Sequence, residues 1–189
     1  NSMLELSLHI LDIAENSIRA GTRLLQILVT EDRVSDRLEI KIIDDGAGMA
    51  EETLAKVLDP FYTTKKVRRF GLGLPMLSEA ARTAGGSFDI KSKKNVGTTI
   101  TADFKRSHID RQPFGNIADT LIMLIAGNPG TDFLYRHQVD GRDFEIDTRV
   151  IKKEIDDVPI NHVDVLSFIR KHIEEGLEEI GAEQSLKQS

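Results

Sequence analysis

The spacing of apolar side chains along the first half of the chain predicts three helices and four strands. Apolar residues recur every three or four positions in residues 4–20, as in a helix with one buried face, although the leucines at its start also alternate and leave a short initial strand open. Further helices are expected at 51–58, ended by Pro60, and from Pro75 to about residue 84. Runs rich in apolar and β-branched residues predict strands at 24–30, 38–43, 87–92 and 98–104.

The second half of the chain predicts a helix, a β-hairpin and a final helix. The first of these helices is expected at 116–126. Apolar and polar residues alternate through 133–139 and again through 144–150, on either side of an Asp-Gly pair, which is the pattern of a tight hairpin. Asn161 is expected to cap the last helix.

Together these elements predict an α+β fold in which helices cover one face of a mixed or antiparallel sheet. Residues 3–106 would form this unit. Residues 107–113 are expected to link it to a C-terminal α/β extension, residues 107–189, that contains the hairpin and the final helix.

Composition and charge narrow the classes of function. The chain has 189 residues and no cysteine, which excludes disulfides and thiol catalysis and fits a reducing, cytoplasmic location. The longest strongly apolar stretch of the second half, 120–127, is far too short to span a membrane. Residues 108–189 hold nine basic and 16 acidic side chains, so nucleic-acid binding is not expected there.

An apolar run that ends at two carboxylates and two glycines is the first candidate site. Residues 38–43 lead directly into Asp44 and Asp45, followed by Gly46 and Gly48. A carboxylate at a strand end can accept a hydrogen bond from an amino group, and glycine lets a flat ligand lie against the backbone. The same string also occurs as an ordinary turn, so its meaning depends on partners elsewhere in the chain.

The first predicted helix carries a second group of polar side chains. Asp12 and Asn16 are four residues apart and therefore share a helix face. The neutral amide oxygen of Asn16 suits Mg²⁺, which keeps several waters and bridges substrate phosphates. A carboxylate one turn away can orient or deprotonate a water molecule.

Two further strings complete the pattern. Gly71 and Gly73 stand at the start of a predicted helix, where free backbone N–H groups attract phosphate, and a basic loop that includes Lys65 precedes them. Thr98 and Thr99 follow a glycine at the start of the last strand of the first unit.

In this order the four strings resemble the boxes of the GHKL ATPase superfamily, which groups DNA gyrase B, Hsp90, histidine kinases and MutL. The resemblance covers residues 4–106 and implies the Bergerat fold, an α/β sandwich that binds Mg-ATP under a mobile lid. It implies that Asn16 binds the metal and that Asp44 accepts a hydrogen bond from the adenine amino group, with Gly46 and Gly48 beside it. The other nucleotide-binding residues that it implies are Met49, Lys65, Gly71, Leu72, Gly73, Leu74, Thr98 and Thr99.

The sequence departs from the family pattern at the catalytic position. Family members that hydrolyse ATP usually carry glutamate four residues before the metal-binding asparagine, and Asp12 stands there in this chain. Asp12 and the nearby Glu15 are therefore the two candidates for the general base. The short lid string at 61–65 resembles that of some histidine kinases, whereas residues 15–22 resemble MutL.

Three functions follow from the resemblance. The first is a histidine-kinase-like enzyme that transfers the γ-phosphate of Mg-ATP to a separate partner or hydrolyses it slowly. The second is a non-catalytic module in which ATP switches a surface for a protein partner or a second copy, formed by the C-terminal extension. The third is a MutL-like DNA repair ATPase. The acidic charge of the extension argues against this function.

Overall fold

The computed structural model describes residues 4–57 and 72–183, which are organised around a six-stranded mixed sheet with the strand order β3-β4-β2-β1-β5-β6. The strands are β1 (Leu24–Asp32), β2 (Arg37–Asp44), β3 (Phe88–Lys93), β4 (Gly97–Lys105), β5 (Asp132–Val139) and β6 (Arg142–Asp147). The helices are α1 (Leu6–Arg19), α2 (Glu51–Val57), α3 (Gly73–Thr83), α4 (Ile117–Gly127), α5 (Thr148–Ile155) and α6 (Val163–Ile180). The predicted α+β class is confirmed.

One face of the sheet is buried because the register places the apolar positions of neighbouring strands side by side. The row that crosses the middle of the sheet shows this clearly, since each of its members is at most 7% exposed. This row is formed by Ile100, Ile42, Ile27, Tyr135 and Ile146. Helices α1, α3, α4 and α6 supply the other half of the core through their buried apolar stripes.

The C-terminal extension continues the sheet of the first unit. Strand β5 pairs in parallel with β1, with Leu25 opposite Phe133, while the other neighbouring strands pair antiparallel. The predicted hairpin and final helix are present as β5–β6 and α6. The division into residues 3–106 and 107–189 stays a prediction from sequence, and the hydrogen-bonded sheet runs across it.

Two predicted element boundaries in the extension are wrong for local reasons. The strand expected to reach residue 150 ends at Asp147, because the Asp147 carboxylate accepts a hydrogen bond from Arg149 N at 2.9 Å and begins helix α5. The last helix is capped by His162 rather than Asn161. The His162 Nδ1 atom accepts from Asp164 N at 3.2 Å.

A series of buried hydrogen bonds joins β1, β5 and the segment that follows α6. The Tyr135 hydroxyl lies 2.6 Å from His137 Nδ1, and His137 Nε2 lies 2.6 Å from Glu31 Oε2. Glu31 is only 2% exposed, and it also accepts from Arg106 Nε at 3.3 Å and from Glu183 N at 3.2 Å. This network links the first unit to the extension.

The surroundings of the buried network shift the pKa values of two of its members, Glu31 and Tyr135. Burial alone would raise the pKa of Glu31, but the hydrogen bonds from His137 and Glu183 and the charge of Arg106 outweigh that effect and lower it from its usual 4.5. Burial, together with the charge of Glu31, raises the pKa of Tyr135 well above its usual value. The carboxylate is therefore the ionised acceptor around which the network is built.

None of the helices in the part of the chain that the structure describes has both the length and the apolar composition needed to cross a membrane.

Candidate functional site

A mostly apolar recess lies between α1, the ends of β2 and β4, and the start of α3. It brings together six of the residues that the sequence predicted for the site: Asn16, Asp44, Gly48, Met49, Leu74 and Thr98. The remaining side of the recess is formed by Ile13, Ser17, Ala20 and Ile100.

The Asp44 carboxylate is held in one orientation at the wall of this recess. The Ser17 hydroxyl of α1 donates to Asp44 Oδ2 at 2.8 Å, and the Gly46 N–H donates to Asp44 Oδ1 at 3.0 Å. An ionised carboxylate has about four acceptor positions, so two donors leave room for a ligand. Ser17 was missed by sequence reasoning, although it falls on the buried stripe of α1, four residues after Ile13.

Asp45 has a structural role that differs from that of its neighbour. Its Oδ1 atom accepts from Arg23 N at 2.8 Å and from Leu24 N at 3.1 Å. These two bonds fix the start of β1 beside the end of β2. Of the two adjacent carboxylates, Asp44 is the one that lines the recess.

Two glycines let the turn after β2 and the turn between β3 and β4 pack backbone against backbone beside the site. Gly48 has a φ of +65°, and a Cβ atom added there would lie 2.1 Å from the carbonyl oxygen of Lys93. Gly97 has a φ of +139°, and a Cβ atom there would lie 2.0 Å from the carbonyl oxygen of Asp44. Both positions therefore require glycine for packing, in addition to any approach of a ligand.

Replacing Gly97 by alanine is expected to destabilise the fold by about 3 kcal/mol, because the backbone strain and the clash with Asp44 add together. Thermal or denaturant unfolding measures this. Gly141→Ala is the matched control, since Gly141 also has a positive φ but has open space around its Cα. The control should lose only about 1 kcal/mol. Equal losses for the two variants would show that the contact with Asp44 has no influence.

Ser92 is a second site residue that sequence reasoning missed. Its hydroxyl accepts from Met49 N at 2.8 Å, donates to Gly97 O at 3.2 Å and lies 2.8 Å from Thr98 Oγ1. These bonds hold the Met49 turn against the start of β4. The sequence contains a signal for this role, because Ser92 lies opposite Thr98 in the predicted β3–β4 hairpin.

Several predicted residues lie beside the recess or away from it. Thr99 lies on the opposite face of β4 from Thr98, because side chains alternate along a strand. Leu72 is 67% exposed at the N-terminal end of α3. Gly46 touches the site through its bond to Asp44. Residues 61–65, with Lys65, and Gly71 lie outside the described residues.

Gly73 brings the start of α3 directly against α1. A Cβ atom added at Gly73 would lie 2.8 Å from Ile13 Cγ1 and 3.0 Å from Asp12 Cβ. The two candidate bases differ in surroundings, with Asp12 exposed beside α3 and Glu15 half-buried. Asn16 is half-buried, and its Oδ1 atom accepts from Arg19 Nη1 at 3.0 Å.

Comparison with known proteins identifies the family. Residues 3–108 match the model of the histidine kinase-, DNA gyrase B-, and HSP90-like ATPases. The chain belongs to this family. The resemblance to the GHKL superfamily that the motifs indicated is thereby confirmed, and membership of this ATPase family implies nucleotide binding.

The matched regions cover only a small part of the length of the individual relatives. The chain is 28% identical over 95 residues to the sensor histidine kinase YvrG of Bacillus subtilis and 31% identical over 96 residues to the heme sensor protein HssS of Staphylococcus saprophyticus. These matches span 48% and 50% of the chain, but only 16% and 21% of the relatives. A crystal structure of the N-terminal domain of a DNA repair protein aligns with a TM-score of 0.48 at 15% identity, covering 75% of this chain and 51% of that one.

Proposed function

We propose that the recess binds Mg-ATP and that the protein transfers the γ-phosphate to a partner, as a histidine kinase does, or hydrolyses ATP slowly. The observation that carries this proposal is the Asp44 carboxylate, which Ser17 and Gly46 hold at the wall of a mostly apolar recess. A planar base with an exocyclic amino group matches this combination of one fixed acceptor and apolar walls.

The recess fits adenine in both polarity and placement. The amino group donates to Asp44, and the side chains of Met49, Leu74 and Ile100 supply apolar contacts for the ring. Thr98, which Ser92 holds in place at 2.8 Å, adds a hydroxyl at the same wall. A fixed acceptor of this kind favours adenine over guanine, because guanine presents a carbonyl oxygen where adenine has its amino group.

The phosphate end of the nucleotide would lie towards Asn16 and the start of α3. In the described chain the residue that precedes α3, Leu72, makes no capping hydrogen bond through its side chain. The N–H groups of Gly73 and Leu74 can therefore point at phosphate oxygens, which the helix dipole also favours, whereas Pro75 has no N–H to offer. Asn16 offers one neutral oxygen for Mg²⁺, and the phosphates and waters supply its remaining ligands.

Asp12 is the proposed general base of this chemistry, with Glu15 as the other candidate. Asp12 lies next to Gly73, at the N-terminal end of α3, where the phosphates are expected. The base would orient and deprotonate the attacking water or acceptor group. Asp12→Asn should lower phosphate release or transfer by about two orders of magnitude. The dissociation constant for ATP should stay within a few-fold of the unmodified value.

Incubation of the purified protein with γ-labelled ATP tests this chemistry, with Glu15→Gln as the matched variant one helix turn away. Loss of activity in Asp12→Asn alone assigns the base to Asp12, whereas loss in Glu15→Gln alone assigns it to Glu15. Binding of ATP without released phosphate and without a labelled protein would refute the enzymatic proposal.

One observation favours a second function, a nucleotide-gated binding module. Helix α1 carries Asn16 and Ser17 at its C-terminal end, and its N-terminal end is fixed to the extension. There Leu6 N donates to Pro113 O at 3.0 Å and Ser7 N donates to Phe114 O at 2.9 Å. A helix that contacts both the nucleotide and the extension can bias a partner surface without chemistry.

The combined variant Asp12→Asn, Glu15→Gln separates the two functions. If it binds ATP and still supports the function of the protein in cells, the nucleotide acts as a switch. If the cellular function disappears while ATP binding is kept, the protein acts as an enzyme.

A further inference from the structure

Thr22, three residues beyond the end of α1, has a buried hydroxyl without a partner in the described part of the fold. The side chain is only 5% exposed, and its Oγ1 atom has no hydrogen-bond partner among the described residues. A buried unsatisfied polar group costs about 1–3 kcal/mol. A valine of the same shape would avoid that cost, so the hydroxyl needs another explanation.

The hydroxyl lies directly behind the turn that carries the Asp44 carboxylate. A Cβ atom added at Gly46 would be 2.7 Å from Thr22 Oγ1 and 3.3 Å from Asp44 Oδ1. Both oxygens therefore border the notch left by the missing side chain of Gly46. Asp44 Oδ1 already accepts from Gly46 N across the same turn.

Helix α1 and the turn that follows it face the two oxygens of the carboxylate. Ser17 donates to Asp44 Oδ2 at 2.8 Å, and the Thr22 hydroxyl, five residues later, borders the same Gly46 notch as Asp44 Oδ1. Thr22 N donates to Ser17 O at 3.2 Å, which ties the two residues to one helix end. Because Gly46 has no side chain, no atom beyond its backbone fills the notch that the Thr22 hydroxyl and the Asp44 carboxylate both border.

We propose that Thr22 is a positioning residue of the nucleotide site, whose hydroxyl donates to Asp44 across the Gly46 notch when the base is bound. This inference rests on the proposed contact between Asp44 and the adenine amino group. With Ser17, Gly46 and Thr22 as donors, the carboxylate is held from both sides while the amino group occupies its remaining acceptor position. Thr22 thus contributes to the selection of adenine without touching it.

The test compares two nucleotides in binding measurements with the full chain. ATP carries the amino group at position 6 of the purine, and purine riboside triphosphate lacks it. Thr22→Val should weaken ATP binding about fivefold, the effect of one hydrogen bond, and leave binding of the analogue unchanged. Thr22→Ser keeps a hydroxyl and should restore most of the preference for ATP.

A stability measurement separates this role from a structural one. Because valine removes an unsatisfied hydroxyl, Thr22→Val should have the same melting temperature as the unmodified protein without nucleotide, or a higher one. Ser78→Ala is the matched control, since Ser78 Oγ is also buried without a partner in the described chain. It lies on α3, outside the recess, and should leave the nucleotide preference unchanged. If Thr22→Val does not fold, Thr22→Ala serves for the same comparison.

Three outcomes contradict the inference in different ways. Equal weakening of ATP and of the analogue by Thr22→Val would assign Thr22 a structural role only. A preference for ATP that is as large in Thr22→Val as in the unmodified protein would show that the hydroxyl does not act on Asp44. If the unmodified protein binds both nucleotides equally, the contact between Asp44 and adenine is itself wrong, and the role of Thr22 falls with it.

Discussion

Replacing Asp44 by asparagine is expected to weaken ATP binding about a hundredfold or more while leaving the protein folded. The asparagine keeps the shape of the side chain and one acceptor for Ser17, whose hydroxyl lies 2.8 Å from the Asp44 carboxylate. It removes the charge and places an N–H₂ group at the position of Oδ1, where it faces the Gly46 N–H instead of accepting from it, so that one oxygen remains for Ser17 and the adenine amino group. The expected loss is about 3 kcal/mol or more, roughly a hundredfold in affinity. Calorimetric titration with Mg-ATP measures it.

Asp45→Asn is the control for this prediction. Asp45 Oδ1 accepts from the backbone N–H groups of Arg23 and Leu24, and an asparagine side-chain oxygen can accept the same two bonds. This variant should bind ATP with nearly the affinity of the unmodified protein. Unchanged affinity in Asp44→Asn, or an equal loss in both variants, would remove the adenine contact from the proposed site.

Replacing Glu31 by glutamine is expected to destabilise the fold by about 3 kcal/mol at neutral pH. The change removes the charge that Arg106 and His137 share and turns one acceptor of the network into a donor. Since Glu31 is almost completely buried, water cannot replace the lost partners. Denaturant unfolding at pH 7 measures the change in the free energy of unfolding.

The lowered pKa of Glu31 predicts how the stability of the fold depends on pH. This pKa is lower in the folded protein than the usual 4.5, so the unfolded chain binds a proton first as the pH falls. The stabilisation is complete above pH 4.5 and is lost as the pH falls from there through the lowered pKa of the folded state. Glu31→Gln should lack this acid-dependent loss. A variant with the same acid profile as the unmodified protein would show that other carboxylates cause it.

Asp143→Asn is the matched control for both measurements. The pKa of Asp143 is also lowered, by hydrogen bonds from Arg136 and Gln138, but the ion pair with Arg136 is exposed to solvent. Exposed pairs contribute little to stability because water and salt screen them. This variant should unfold as the unmodified protein does.

Sequence reasoning located the centre of the candidate site because its residues belong to short local patterns. Asp44 ends an apolar run, and Asn16 lies on a helix whose apolar spacing is clear, so their placement follows from strand ends and helix periodicity. The same periodicities also tell which neighbouring residues share a face with them. The period of two along β4 excludes Thr99 from the face of Thr98, and the buried stripe of α1 includes Ser17.

The parallel pairing of β5 with β1 could not be read from the chain. Leu25 and Phe133 are far apart in sequence, and the local pattern of an apolar strand does not specify the strand with which it pairs. Local side-chain chemistry also decided the two wrong boundaries. Asp147 caps α5 although the alternation of apolar residues continues past it, and His162 takes the cap expected of Asn161.

The place of β5 in the sheet has a consequence for how the protein acquires its structure during synthesis. When the ribosome has made the chain as far as residue 107, β1 has its partner β2 on one side, but the N–H and C=O groups of its other edge do not yet have β5 to bind. That edge is closed only after β5 has emerged. Contacts of such large sequence separation form slowly, because the entropy of closing the long intervening loop opposes them. We therefore expect the nascent chain to depend on molecular chaperones in the interval between the emergence of β4 and of β5.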